Sequence, residues 1–132
     1  MVATNEERVK KVSEWFMKTR GRMPERYTTM GEYNVDFLEA FQKMYDAVVI
    51  KPGALTRREK ELIIIAVECA LMGPDAKFHA KNAIEAGATV EEVHDAALIS
   101  FLWAGMPSYV GHGWAAVKNA EEFYKEFKSK KK

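Results

Sequence analysis

The sequence has little of what marks a secreted, membrane-spanning or nucleic-acid-binding protein. One cysteine, Cys69, among 132 residues excludes an intrachain disulfide and any CxxC pair within the chain. The 20 Lys and Arg residues against 19 Asp and Glu residues leave no basic excess that would favour nucleic acid. Residues 1–11 lack the apolar core of a signal peptide, and Ala96–Met106, the longest largely apolar run, is too short to cross a bilayer. We therefore expect a soluble cytoplasmic protein without nucleic-acid or membrane partners.

Helix-start signals are frequent, whereas no segment has the alternating pattern of a strand. Thr-x-x-Glu capping boxes occur at residues 4–7, 56–59 and 89–92. Between glycine and proline breaks, the apolar spacing predicts six helices, in residues 5–19, 35–48, 57–72, 74–87, 90–104 and 108–127. Gly73 is the predicted C-terminal cap of the third helix, and the basic run 128–132 is predicted to be a frayed, solvated tail. The chain is therefore predicted to form one all-α domain over residues 1–132.

The third and fifth predicted helices carry more apolar side chains than a small domain can easily cover. The third reads ELIIIAVECALM from Glu61 to Met72, a pattern without a polar face that predicts a mostly buried helix. The fifth is apolar on most sides from Ala96 to Trp103. Because much of a small domain lies near its surface, apolar faces of this size favour subunit contacts. We expect a homo-oligomer.

Two carboxylates interrupt the apolar third helix. Glu61 and Glu68 are two helical turns apart and therefore share one face. A carboxylate among apolar side chains must be paired, hydrogen-bonded or protonated. His79, just beyond the Gly73-Pro74 break, is a possible partner. The structural alternatives are an exposed Glu61 in the first turn, a salt bridge from Glu68 to a nearby arginine, and a core histidine bonded to a helix carbonyl.

Three segments, taken in order, resemble the carboxymuconolactone decarboxylase family, which also contains the alkylhydroperoxidase D-like proteins. They are LTRREKELI at Leu55–Ile63, FHAKNAIEAGATVEEVHDAAL at Phe78–Leu98 and WAGMPSYV at Trp103–Val110. The resemblance is strongest over residues 55–110. It implies an all-helical, alkylhydroperoxidase D-like orthogonal fold built around a helical hairpin and assembled into trimers or hexamers.

The family has two chemistries, and the residues before its histidine separate them. The peroxidase branch uses a CxxC pair, but here MGPDAKFH places Met72 and Asp75 where the two sulfurs would be. Neither side chain forms the thiolate that dithiol exchange requires. The decarboxylase branch lacks the pair and keeps the histidine, which corresponds to His79, while Glu61 corresponds to the acidic residue of the opening helix. The resemblance therefore implies the branch without CxxC.

That branch implies a lyase that removes carbon dioxide from γ-carboxymuconolactone, as in aromatic compound catabolism, without a metal or an organic cofactor. Electrons from the broken bond flow to the conjugated lactone oxygen, and the dienolate is then protonated on carbon. His79 is the candidate acid, because both of its charge states are accessible near neutrality. Glu61 or Glu68 is the candidate carboxylate that orients its imidazole.

A dianionic substrate also needs cations and a walled pocket. Arg58 is the preferred cation among Arg57, Arg58, Lys77 and Lys81. His112, between two glycines, is a candidate second histidine of the site or a packing residue. Trp103 and Tyr109 are candidate pocket walls, although aromatic residues at helical spacing also serve cores. His94 is predicted to lie on the surface.

Three other functions remain open on the sequence. The chain could be a peroxidase or redox protein that has lost its CxxC and uses Cys69 alone, but a thiol in an apolar helix is usually inert. It could be a non-catalytic oligomeric module that binds small acids, because a fold does not fix a function. A metal site would have to combine Glu68, Asp75, His79 and His112, which lack the close spacing of a ligand motif.

Overall fold

The fold is built from helices in two compact units, of which the first ends at Pro52 and the second begins at Gly53. A computed structural model describes residues 1–131. Its helices are α1 (Asn5–Arg20), α2 (Glu25–Tyr33), α3 (Val35–Tyr45), α4 (Arg57–Ala70), α5 (Ala76–Glu85), α6 (Val90–Ala104) and α7 (Trp114–Lys130). A π-helical turn, Asp46–Ile50, continues α3, and the turns Met106–Ser108 and Tyr109–Gly113, the second π-helical, lead into α7. Residues 1–131 contain no strand, which confirms the all-α prediction.

The first unit packs α1 against α2 and α3 around an aromatic core. Thr4 and Glu7 form the predicted capping box, and Gly21 ends α1 with a left-handed φ of 69°. Val12, Phe16 and Leu38 are buried at the centre. The partly buried side chains around them are largely aromatic: Trp15, Tyr27, Phe41 and Tyr45. The large apolar side chains of α3 are only partly inside, since Phe37 is 55% exposed and Met44 is 60% exposed.

Helix α2 is missing from the sequence prediction, which places six helices where residues 1–131 form seven. Pro24 before its first residue and Glu25 in its first turn are ordinary helix-start signals. Gly31 weakens the helical pattern of this segment, because glycine inside a segment usually indicates a break. In the structure, Gly31 lies where side chains of two other helices pack against α2. A Cβ at position 31 would lie 2.5 Å from Leu38 Cδ2 and 2.9 Å from Val9 Cγ2, so only glycine lets these helices approach so closely.

The second unit packs α4 to α7 around a core of small side chains. Alanines at 76, 80, 83, 97, 116 and 120 are almost fully buried, which lets the helix axes approach one another closely. Capping boxes at Thr56 and Thr89 begin α4 and α6 as predicted, and α6 has the predicted bounds. The row Glu61, Ile65 and Cys69, spaced by four residues, is the buried face of α4.

Helix α4 is less buried than its sequence predicts. Ile63 and Val67 are each 49% exposed, although the part of the helix after Glu61 has only Glu68 as a charged side chain. The prediction of a mostly buried helix is therefore wrong for one chain by itself. The reason is the size of the unit. One face of α4 packs on the core, whereas Ile63 and Val67 lie on the opposite face of the helix, which no described element of the unit covers.

The end of α4 differs from the predicted glycine cap. The left-handed residue is Met72, with φ of 57°, rather than Gly73. The amide of Gly73 donates to the carbonyl of Glu68 at 2.7 Å, and the amide of Met72 donates to that of Cys69 at 3.2 Å, as in a Schellman motif. A Cβ at position 73 would lie 1.8 Å from Glu68 Oε2, so glycine there lets the Glu68 side chain lie over the end of α4.

Replacing Met72 with glycine is expected to stabilise the protein by about 1 kcal/mol, because a side chain in the left-handed region costs about that much and glycine avoids the cost. Urea unfolding followed by circular dichroism would measure it. Leu71→Gly is the matched control, because Leu71 has a φ of −87° and gains nothing from glycine. It should destabilise the protein. Equal destabilisation by both substitutions would contradict a strained Met72.

The C-terminal segment is more regular than predicted. Helix α7 continues to Lys130, so residues 128–130 are helical rather than a frayed tail, and Lys132 of the predicted tail lies outside the described residues. The predicted last helix is also interrupted, since Tyr109–Gly113 is π-helical. None of the helices within residues 1–131 is both long and apolar enough to cross a membrane.

Candidate active site

The central feature of the candidate site is a buried contact between α4 and α5. Glu61 Oε2 lies 2.6 Å from His79 Nδ1. The carboxylate is fully buried and His79 is 4% exposed. A carboxylate can only accept, so Nδ1–H donates to it, and Nε2 is the ring nitrogen left for proton exchange. The structure therefore joins two of the three predicted catalytic residues, and it is Glu61 rather than Glu68 that bonds His79.

Arg57 completes the arrangement from the first turn of α4. Its Nε donates to Glu61 Oε1 at 2.8 Å, one helical turn away, and its side chain is 32% exposed. Each carboxylate oxygen of Glu61 therefore has its own donor. We refer to Arg57, Glu61 and His79 below as the relay. From the sequence, Arg57 is predicted only as a candidate substrate cation or a partner of Glu68, although its i,i+4 spacing from Glu61 is the usual signal for such a pair.

The surroundings of Glu61 favour its charged form. Burial raises the pKa of this carboxyl. The hydrogen bond from His79 and the positive charges of His79 and Arg57 together lower it by more than burial raises it, so the net pKa lies below its ordinary value. An anionic Glu61 accepts the hydrogen bond from Nδ1–H of His79 and so fixes the orientation of the ring. This orientation leaves Nε2 as the nitrogen that can exchange a proton.

Glu68 does not join the relay. It is half-buried at the edge of the buried face of α4, and its carboxylate lies over Gly73. Met72, at one of the positions where the family's peroxidase branch has a sulfur, packs its Cε against Gly111 of the π-helical turn. Asp75, at the other position, is 5% exposed and begins α5. The relay histidine follows one turn later, so this segment sets its position.

The predicted substrate-binding residues are spread over other contacts. Arg58 forms an ion pair with Glu92 at the start of α6. Tyr109 donates or accepts a 3.0 Å hydrogen bond with His94 Nε2, so His94 is half-buried rather than a surface residue. His112 is half-buried in the π-helical turn, and Trp103 is 84% exposed. The structure describes no hydrogen bond from any of these to the relay within residues 1–131.

Cys69 is fully buried on the same face of α4 as Glu61. Burial raises the pKa of its thiol, and the charge of Glu68 raises it further, while a hydrogen bond with Ser100 lowers it to a smaller extent. A thiol with a raised pKa and no exposure is a poor nucleophile. These surroundings favour the packing interpretation of Cys69 over a redox role.

A mostly apolar cavity lies between α4 and α6. It has a volume of about 420 Å³. Its lining residues are Leu62, Ile63, Ala66, Val67, Glu92, Asp95, Ala96 and Ile99. His79 is not among them. Within one chain, Glu61 and His79 are therefore a buried pair, and the relay meets the solvent at the small exposed edge of His79 and at Arg57, which is 32% exposed.

Comparison with known proteins agrees with the resemblance noted in the sequence. The profile of the family described as "CMD: Carboxymuconolactone decarboxylase family" matches residues 36–119. This range is more than half of the chain and includes Arg57, Glu61 and His79. None of the curated proteins matches the sequence. Among solved structures, a candidate carboxymuconolactone decarboxylase from Burkholderia xenovorans LB400 superimposes with a TM-score of 0.86, at 25% identity, over 96% of this chain and 98% of that one.

Proposed function

We propose that this chain, which belongs to the carboxymuconolactone decarboxylase family, is a cofactor-independent decarboxylase of a small carboxylated lactone resembling γ-carboxymuconolactone. The observation that carries the proposal is the 2.6 Å contact between Glu61 Oε2 and His79 Nδ1 in a site where both side chains are buried. It leaves Nε2 as the proton-exchanging atom, and a single proton transfer is what this reaction asks of the protein.

The proposed reaction breaks the bond between the ring carbon and the substrate carboxylate. Its electron pair moves into the conjugated lactone carbonyl, carbon dioxide leaves, and the negative charge develops on the lactone oxygen. The imidazolium of His79 then gives the proton on Nε2 to the dienolate carbon and becomes neutral. Glu61 acts as a positioning residue, because it holds Nδ1–H throughout, and Arg57 holds Glu61.

The test is turnover of γ-carboxymuconolactone by purified protein, followed as loss of the substrate's absorbance and as release of carbon dioxide. Wild-type activity that depends on His79 supports the proposal. Absence of activity, in a protein shown to be folded by circular dichroism, would exclude this substrate. A panel of small carboxylated lactones and enol acids would then separate a different substrate from the absence of catalysis.

The second candidate function is a non-catalytic module that binds small acids. It is favoured by the burial of His79, which is 4% exposed, and by the salt bridge from Arg57 that occupies one oxygen of Glu61. Under this alternative the relay is a structural ion-pair cluster. The two functions differ in the outcome of His79 substitution. In a decarboxylase the substitution lowers the turnover rate, whereas in a binding module, which has no turnover, it lowers only the stability.

We also propose that the protein acts as a homo-oligomer, a trimer or a hexamer. The support is the number of large apolar side chains left exposed on the second unit. Leu102 is 76% exposed, Ile99 57%, Val110 67% and Trp114 54%. Exposed apolar surface on this scale usually marks a contact with another chain. Ile99 lines the same apolar cavity as Ile63 and Val67, so the exposed face of α4 adjoins part of this surface.

Replacing Leu102 with glutamate is expected to shift the protein toward a single chain, because burying an unpaired charge in an apolar contact costs several kcal/mol. Light scattering after size-exclusion chromatography would measure the mass of the particle. Lys125→Glu, a charge reversal at an exposed position of α7, is the matched control and should leave the mass unchanged. A wild-type mass equal to one chain would remove the oligomer proposal altogether.

A further inference from the structure

One side of α3 carries large apolar side chains that no element within residues 1–131 covers. Val35 and Leu38 are the buried residues of this helix and mark the side that packs on the core. Phe37 and Met44 are two helical turns apart, so they share a face, and each is more than half exposed. Single apolar side chains on a surface are ordinary, but a row of them along one helix favours contact with another chain.

The exposed side of α3 consists of three rows that run along the helix. Phe37 and Met44 form the apolar row. Ala40 lies in the middle, on the side of the helix that points away from the core, and is exposed. Asp36 and Lys43, also two turns apart, are exposed and form the charged row on the other flank. The face thus has an apolar edge, a centre without a bulky side chain and a charged edge.

The two charges of the charged row remain accessible to another chain. Oδ1 of Asp36 binds Arg8, but the Asp36 side chain is 84% exposed. No ion pair of Lys43 is described within residues 1–131. Glu39, one turn before Lys43, has both of its carboxylate oxygens bonded to Arg8. The charged row therefore offers an acid near the start of α3 and a base near its end.

We propose that α3 binds α3 of a second copy of this chain, in antiparallel orientation, about a two-fold axis that passes by Ala40. Such an axis brings together residues that lie equally far before and after position 40. Phe37 of each copy then lies beside Met44 of the other, and Asp36 of each copy lies beside Lys43 of the other. The midpoint of each pair falls within half a residue of Ala40.

All three rows of the face are satisfied by this single axis. Ala40 meets its own copy at the axis, and its small side chain lets the two helices approach closely. A thioether beside an aromatic ring, as in the pair of Phe37 and Met44, is a favourable contact. The symmetry repeats the ion pair at both ends. A parallel pair would instead set the apolar row of one helix beside the charged row of the other.

The contact lies in the first unit and uses no residue of the relay, so it does not depend on the proposed decarboxylation. A two-fold contact requires an even number of chains. Of the two proposed assemblies it therefore favours the hexamer over the trimer, a consequence that rests on the proposed oligomer. One face of an 11-residue helix is small beside the roughly 800 Å² per partner of a stable complex. We therefore expect weak pairing when this contact acts alone.

The direct measurement is disulfide cross-linking of the full chain with Ala40→Cys in oxidised glutathione, read as a band of two chains on a non-reducing gel. A disulfide needs Cα atoms less than about 7 Å apart, which position 40 and its copy satisfy at the axis. Ala47→Cys is the matched control. Ala47 is also exposed, but its two copies would lie about 20 Å apart along the antiparallel helices.

We expect position 40 to cross-link about tenfold faster than position 47, or more, because only position 40 is within disulfide reach of its own copy. Wild type, whose single cysteine, Cys69, is buried, should give no band of two chains. The substitutions are conservative in size and lie at exposed positions, so both variants are expected to fold.

An exchange of charges tests the orientation of the two helices. In the Ala40→Cys protein, Lys43→Asp sets two pairs of carboxylates against each other and should slow cross-linking by about tenfold. Adding Asp36→Lys restores opposite charges in reversed order and should recover most of the rate. Absence of recovery would contradict the antiparallel pairing.

The proposal is overturned if positions 40 and 47 cross-link at equal rates, as random collisions would produce. It is also overturned if neither position cross-links more than wild type. The mass of the wild-type particle tests the proposed oligomer separately. An assembly held by the second unit alone would keep its mass above that of one chain while Ala40→Cys gave no cross-link.

Discussion

Replacing His79 with alanine is expected to lower the rate of lactone decarboxylation by about a hundredfold or more, the scale of a lost acid–base group. The reason is the geometry of the relay: Nδ1 is held by Glu61 at 2.6 Å, so no other atom of this cluster can present a mobile proton. Steady-state turnover of γ-carboxymuconolactone by both proteins would measure the loss. Imidazole added to the alanine variant should restore part of the rate.

Rescue by imidazole separates a proton donor from a packing residue, because a cavity filled by any small ring would restore stability without restoring turnover. Asn82→Ala provides a matched control, since Asn82 is a buried polar side chain of the same helix, 8% exposed, with no described bond to the relay. Equal rates for wild type and His79→Ala would remove His79 from the mechanism. In that case the buried relay would have to be structural.

Replacing Glu61 with leucine is expected to reduce the free energy of unfolding by about 3 kcal/mol, because it leaves the buried donor of His79 without its acceptor. Arg57 is 32% exposed and can turn to water, which places the loss at the lower end for a broken buried pair. Urea unfolding at neutral pH would measure it. The double variant Glu61→Leu/His79→Leu should recover part of the loss, since both polar partners are then absent.

Glu68→Leu is the control for this prediction. Glu68 lies on the same helix and is half-buried, but it has neither His79 nor Arg57 as a partner, so its loss should stay below about 1 kcal/mol. A larger effect at position 68 than at position 61 would show that the relay is not the polar centre of α4. The double-variant cycle would then show no coupling between Glu61 and His79.

The stability contributed by Glu61 should also depend on pH in a defined direction. Because the pKa of Glu61 is lowered in the folded protein, the unfolded chain takes up the proton first as the pH falls. The contribution is therefore fully present above the ordinary carboxyl pKa, about 4.3, and is lost as the pH falls through the lower folded value. The difference in stability between wild type and Glu61→Leu should shrink over this range.

Much of the fold follows from local signals in the sequence. The capping boxes at Thr4, Thr56 and Thr89 begin helices where they were predicted, because a side chain bonded to the amide three residues later needs no distant partner. Helix α2 escaped prediction for the opposite reason. Gly31 is explained by Leu38 and Val9, which pack against it. These residues lie on other helices, so the sequence around Gly31 does not reveal the contact.

The composition of the candidate site followed from the family resemblance, but its connections did not. Two carboxylates separated by two helical turns share one face, so spacing could not decide which of them meets His79. The packing of α5 on α4 made that decision, since it buried Glu61 completely and left Glu68 at the edge. Arg57, one turn before Glu61 on α4, bonds the oxygen of Glu61 that His79 leaves free, a pair that the i,i+4 spacing in the sequence already allows.

The sequence by itself determined that this protein is helical, which residues begin most of its helices, that it lacks a CxxC pair and that it resembles the carboxymuconolactone decarboxylase family, to which it belongs. These properties reside in the identity and spacing of residues near one another in the chain. Only the tertiary structure decided that Glu61 rather than Glu68 is the partner of His79 and that Met72 takes the left-handed position. Each of these depends on side chains brought together by packing, and burial is what turns a common carboxylate into one with a specific chemical environment.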